Sequence, residues 1–122
     1  MYRRQRRFCT TVTALAALCC LASIAAGCGS SDAPTTLNAT IDVVNAKPKG
    51  GVQDLKVKKD GQVHLTINSD TADEIHVHAT DQHADVKKGG TVKMTIKPAG
   101  TGNSEIELEA HKEQIGELTI VP

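Results

Sequence analysis

The chain has 122 residues, with 14 Lys+Arg against 14 Asp+Glu, no Trp, one Tyr and one Phe. All four arginines fall within the first seven residues, so from residue 28 onward ten lysines face fourteen acids and the formal net charge is −4. That balance excludes the basic face that nucleic-acid phosphates demand, and with Tyr2 and Phe8 near the start, a later core must pack on Val, Ile, Leu, Ala and Met94.

Arg3, Arg4, Arg6 and Arg7 form a positive n-region, followed by an Ala/Leu-rich run from Val12 to Ala26. Fifteen residues is short for a membrane span, which needs about 20, and the charge pattern matches an export signal. The run ends in Ala-Ala-Gly-Cys and turns polar at once. Small residues before a cysteine resemble the bacterial lipobox, although Ala25 stands where Leu is most frequent. The expectation is a lipoprotein signal peptide over 1–27, lipidation (palmitate-type acylation) at Cys28, and an extracytoplasmic domain anchored to the cell membrane. Plain secretion is the alternative. The arginine pairs hint at twin-arginine export, without the rest of that motif.

Residues 28–38, rich in Gly, Ser, Asp, Pro and Thr, read as the lipidated Cys and a flexible tether. The domain expected over 39–122 shows period-2 alternation and no helical period. Candidate strands are Thr40–Asn45, Asp54–Lys58, Gln62–Asn68, Glu74–Thr80, Thr91–Lys97, Glu105–Ala110 and Glu117–Val121. Val63, Leu65 and Ile67 share one face, as do Val92, Met94 and Ile96, and Ile106, Leu108 and Ala110. Gly-, Asp- and Pro-containing turns separate them at 47–51, 58–61, 68–73, 87–90 and 97–103. About seven short strands in one domain predict an all-β antiparallel sandwich.

Cys9, Cys19 and Cys20 leave with the signal and Cys28 would carry lipid, so the domain has neither thiol nor disulfide. A blue-copper centre requires a thiolate ligand. Type-1 copper electron transfer is therefore excluded by the sequence.

From Leu55 to Pro122 the chain carries an ordered set of features: Lys-Asp-Gly at 59–61, Asp-Glu-Ile-His-Val-His at 73–78, Gly-Gly at 89–90, Glu-Ile-Glu-Leu-Glu at 105–109, His111, and a last strand after Gly116. This set resembles the cupredoxin-like domains of bacterial exported lipoproteins. The resemblance implies a Greek-key sandwich with copper, where bound, at one end. It implies one inward-turned ligand at the position of His76, and others at positions matched by Leu108, His111 and about Ile115. Leu108 and Ile115 are not ligands. The sequence also departs from the family after the second His, where Ala79 and Thr80 replace Gly and an aromatic, and at Ser104, which replaces Phe.

Three of the five histidines lie in Asp73–His83. In a strand His76 and His78 share a face and can close on one ion. His111, placed as the resemblance implies, would be a third ligand, and His83 a fourth from the following loop. Three imidazoles plus an oxygen suit Cu(II), the first expectation, or Zn(II). Glu74, Asp81, Glu109 and Glu113 are nearby oxygen donors in sequence. Two other readings remain open. If Ile75 and Val77 face the core, the pair is a solvated strand surface; alternatively it is buried and bonded to carboxylates. His64 reads as a surface residue and Met94 as core. Glu105, Glu107 and Glu109 form an outward row, either solvated opposite Lys93 and Lys97 or a source of oxygen ligands.

No nucleophile elbow or phosphate loop is present, so an enzyme is not expected. The functional expectation is a membrane-anchored, metal-binding cupredoxin-like lipoprotein without type-1 chemistry. Its alternative is a metal-free scaffold that contacts an envelope protein partner.

Overall fold

The computed structural model describes residues 32–122. The segments expected as signal peptide and start of the tether, with Cys28, lie outside the described residues. Nine strands follow: β1 (Thr36–Val44), β2 (Lys47–Pro48), β3 (Gln53–Lys58), β4 (Gln62–Ser69), β5 (Asp73–Val77), β6 (Gln82–Val86), β7 (Gly90–Ile96), β8 (Gly102–Leu108) and β9 (Glu113–Val121). They form two sheets, in the orders β2-β1-β4-β7 and β3-β9-β8-β5-β6. Among the described residues there is no helix.

The core between the sheets is aliphatic. Ile41, Val43, Val63, Leu65, Ile67 and Ile96 come from the four-stranded sheet, and Leu55, Val57, Ile75, Val77, Ile106, Leu108, Ile115, Leu118 and Ile120 from the other. Each contributes roughly 1.5–3 kcal/mol on burial, and none carries a polar atom that would need a partner. Met94 and Val92 pack at the margin of this core, partly buried.

The expectation of an antiparallel sandwich of about seven strands needs three corrections. The sheets are mixed, because β1 runs parallel to β4 and β3 parallel to β9. Five of the eight connections change sheets and three join hydrogen-bonded neighbours, so alternating direction is not preserved. Two short strands were hidden in segments read as turns or loops, namely β2 within 47–51 and β6 after the His-x-His stretch. The third concerns the tether, assigned to 28–38: Thr36 already belongs to β1, and Pro34 and Thr35 accept backbone hydrogen bonds from Lys58 and Gln62 at 3.0 and 2.8 Å.

A local irregularity shapes the region that matters below. Opposite the Ile106–Glu107 step, β9 carries one extra residue: Ile106 pairs with Gly116 and Glu107 with Gln114. This bulge turns both Ile115 and Gly116 inward, breaking the alternation. At Gly116 a Cβ would meet the Ile41 Cδ1 at 3.2 Å, so the missing side chain lets the opposite sheet close over the bulge. β8 ends at Leu108, which leaves Ala110 exposed in the following turn instead of on the buried face with Ile106 and Leu108.

Candidate metal centre on the outer face of the five-stranded sheet

Ile75 and Val77 are buried, so the intervening His76 points outward, and His78 emerges beside it where the strand becomes a turn. The inward orientation implied by the resemblance is not what the fold adopts. Outward does not mean solvated here. β5 lies between β6 and β8, and in register His76 faces His83 on one side and Glu107 on the other. Its side chain is 15% exposed.

The result is a layer of imidazoles bounded by carboxylates. The His76 ring stacks on those of His78 and His83, with centroid separations of 4.3 and 4.0 Å. His76 Nδ1 stands 2.6 Å from Glu109 Oε1, and His76 Nε2 stands 3.2 Å from Asp81 Oδ1. His78 Nε2 is 3.0 Å from Glu107 Oε1, and His83 Nδ1 is 2.9 Å from Glu74 Oε1. An ionised carboxylate only accepts hydrogen bonds, and a neutral imidazole has a single N–H. A neutral His76 can therefore serve one of its two carboxylates. Serving both takes a second proton or a cation in its place.

Electrostatics reinforce the layer. The Lys112 ammonium, at 2.9 Å, and the His76 ring hold Glu109 below the usual carboxylate range. Hydrogen bonds from His76 and His83 do the same for Asp81. The hydrogen bond to Glu74 raises His83 above its ordinary value. Asp81 reaches the rings because it occupies the left-handed backbone region, φ 50°, at the end of the β5–β6 turn, a conformation that Asp tolerates better than most residues.

Two sets of donor atoms lie close enough together to hold a cation. One comprises His76, His78, Glu107 and Glu109, the other His76, Asp81 and His83, each with its atoms within 4.8 Å of one another. Ligand–ion distances near 2 Å put opposite ligand atoms about 4 Å apart. Closing either set takes a turn of the stacked rings, whose in-plane lone pairs now lie in separate planes. A mixed imidazole–carboxylate donor set fits Cu(II) or Zn(II).

His111 is not brought to this layer. Its Nδ1 bonds to Asp73 Oδ2, and the Asp73 carboxylate also accepts the backbone N–H groups of Glu74 and Ala110 at 2.7 and 2.8 Å. Asp73 shares the inward parity of Ile75 and Val77, so His111 is tethered on the side of β5 opposite His76. Burial pushes Asp73 up, but the hydrogen bonds from His111, Ala110 and Glu74 outweigh it and hold the carboxyl below its ordinary value. The other positions implied by the resemblance, Leu108 and Ile115, are core residues with 0% exposure.

His83 belongs to the layer although a loop was expected there. The signal was a short alternation, Ala84 and Val86 against His83 and Asp85. Glu107 joins Glu109 opposite the histidines, and not opposite Lys93 and Lys97, which stand on or beside β7 in the other sheet. His64 is exposed, as expected, and Asp73 is a structural anchor that residue pattern alone did not reveal.

No family model and no curated protein matches the chain in sequence. Solved structures do match in fold. A copper-binding protein in its apo form shares 13% identity, with a TM-score of 0.56 over 70% of this chain and 88% of that one. Reduced auracyanin from Roseiflexus castenholzii shares 12% identity, with a TM-score of 0.57 over 74% and 99%. The metal-binding domain of the Cu(I)-exporting P-type ATPase of Streptococcus pneumoniae D39, with Cu(I), shares 13% identity, with a TM-score of 0.58 over 72% and 88%. Residues 32–122 thus form a cupredoxin-like β-sandwich domain.

Proposed function

We propose that the chain is an exported, lipid-anchored cupredoxin-like protein that binds a metal ion, Cu(II) before Zn(II), through His76 and His78 with Glu107 and Glu109. The observation that carries this reading is the convergence of those four donors on the outer face of one sheet. The copper-related fold neighbours support copper as the metal. In this reading the protein holds or delivers metal at the cell surface and neither catalyses a reaction nor cycles electrons. The residues at the family's thiolate and thioether positions are Leu108 and Ile115, and from Gly29 to Pro122 the chain has no cysteine. The export signal and Cys28 support anchoring, with residues 29–33 as the spacer.

Calorimetric titration with Cu(II) and with Zn(II) tests the site, comparing the wild type with His76→Ala/His78→Ala. Stoichiometric binding at micromolar or tighter affinity, lost in the double variant, is expected. Equal weak binding in both proteins would make the layer a set of stabilising His–carboxylate pairs and the domain a scaffold for an envelope partner. Anchoring is tested separately: Cys28→Ser should move the exported chain from the membrane to the soluble fraction.

A further inference from the structure

We propose that His76 bridges two metal ions, Nδ1 serving one and Nε2 the other. This rests on the metal-binding reading above and extends it from one ion to two. The two donor sets share a single residue, His76, and approach it from different sides. Glu109 stands at Nδ1, while Asp81 stands at Nε2. The lone pairs of one imidazole diverge in the ring plane, so an ion on Nδ1 is out of reach of Nε2. One ion cannot use both sets.

The second set is organised as a ligand site in its own right. His83 Nε2 points at the same Asp81 oxygen as His76 Nε2, 3.5 Å away. The other His83 nitrogen is held by Glu74. A carboxylate on the far nitrogen is the usual means of orienting a metal-binding imidazole. Asp81, with its side chain 88% exposed, leaves an open path for an ion from solvent.

Charge balance permits double occupancy, as it does a single ion between Glu107 and Glu109. A neutral His76 offers one lone pair, so the second ion displaces its remaining N–H proton to solvent and leaves an imidazolate. Two divalent ions then face the imidazolate and the carboxylates of Glu107, Glu109 and Asp81, four negative charges against four positive. With a single ion in the first set, Asp81 keeps the N–H of His76 Nε2 as its partner; the second ion takes the place of that proton.

The test uses the full-length chain in detergent, without a polyhistidine tag and with Cys9→Ser, Cys19→Ser, Cys20→Ser and Cys28→Ser to remove competing thiols. Cu(II) is titrated calorimetrically and followed by electron paramagnetic resonance. Two equivalents should bind, and the resonance intensity per copper should fall as the second enters, because a bridging imidazolate couples the two spins. Asp81→Ala/His83→Ala changes two exposed side chains outside the core; it should bind one equivalent with undiminished intensity. Two equivalents with full intensity, or two retained in that variant, overturn the bridge. One equivalent in the wild type, unaffected by Asp81→Ala/His83→Ala, overturns the bridge and leaves the single-ion site standing. No binding overturns both.

Discussion

On the outer face of the four-stranded sheet, His64 lies in register between Asn38 and Thr95, with its Nδ1 3.3 Å from the Thr95 hydroxyl. On the outer face of the five-stranded sheet, His76 lies between His83 and Glu107, with a carboxylate at each ring nitrogen. Both histidines alternate with buried aliphatic residues on a strand flanked by two others. Their surroundings differ in charge. Around β4 the outward residues are mostly Asn and Thr, with one carboxylate, Asp42, and one lysine, Lys93, joined by hydrogen bonds such as Asn68 Nδ2 to Asp42 (2.8 Å) and Thr91 Oγ1 to Asn68 (2.7 Å). Around β5 they are His and Glu, with Asp85 beside Glu74. An outward strand histidine becomes a candidate ligand when its cross-strand neighbours supply further lone pairs and negative charge. Those neighbours come from segments up to 33 residues away.

The sharpest way to break this comparison is to exchange the two histidines in turn. His76→Ala should abolish stoichiometric Cu(II) binding, whereas His64→Ala should leave the isotherm unchanged; equal losses would mean that position on the sheet is irrelevant. Next in size is the anchor behind the layer. Asp73→Ala removes a buried acceptor of three hydrogen bonds and should cost about 2–4 kcal/mol of stability, read from denaturant unfolding. The pH dependence of this anchor follows from its sign. The folded-state pKa of Asp73 lies below the ordinary 3.8, so its contribution is fully present above that value and is lost as pH falls through the lower, folded one. Acid unfolding of Asp73→Asn should show a correspondingly weaker dependence below pH 3.8.

A smaller effect separates His83 from an isolated imidazole. Its pKa is raised above 6.5, mainly by the hydrogen bond to Glu74. That interaction stabilises the fold fully below 6.5 and fades as pH rises through the folded value. In the metal-free protein, Glu74→Gln should lower the His83 midpoint in an NMR titration; an unmoved midpoint would detach His83 from the layer. The smallest change is expected for Lys112→Ala. The Lys112–Glu109 pair is a surface pair, with Lys112 exposed, so thermal stability should barely move. The Glu109 titration, read by the same method, should shift back up toward the ordinary carboxylate value.

Much of the fold was legible in the residues. The alternating triplet Val63–Leu65–Ile67 and the pair Ile106–Leu108 face the core, and the turns at 59–60 and 88–89 separate strands. What alternation could not supply was pairing. Period-2 spacing states that a segment is a strand and which residues share a face, but it is silent on the neighbouring strand and its direction. That is why the parallel β1–β4 and β3–β9 pairs were missed. His111 was placed by the resemblance, whereas its partner Asp73 lies 38 positions earlier, and β6 carries only one buried residue, Val86, so its alternation is faint.

By itself the sequence determined the chemistry available: an aliphatic core, no cysteine after residue 28, and histidines and glutamates concentrated in a few segments. Composition and local periodicity determine these because they depend on residue type and near neighbours alone. Only the tertiary structure decided which of those side chains meet. Packing β5 between β6 and β8 set His76 against Glu107, Glu109 and His83, and the bulge in β9 turned Ile115 into the core. The physical reason is that cross-strand contacts are closed by burial of the opposite, apolar face, whose best packing fixes the register. The polar face then inherits whichever neighbours that register brings.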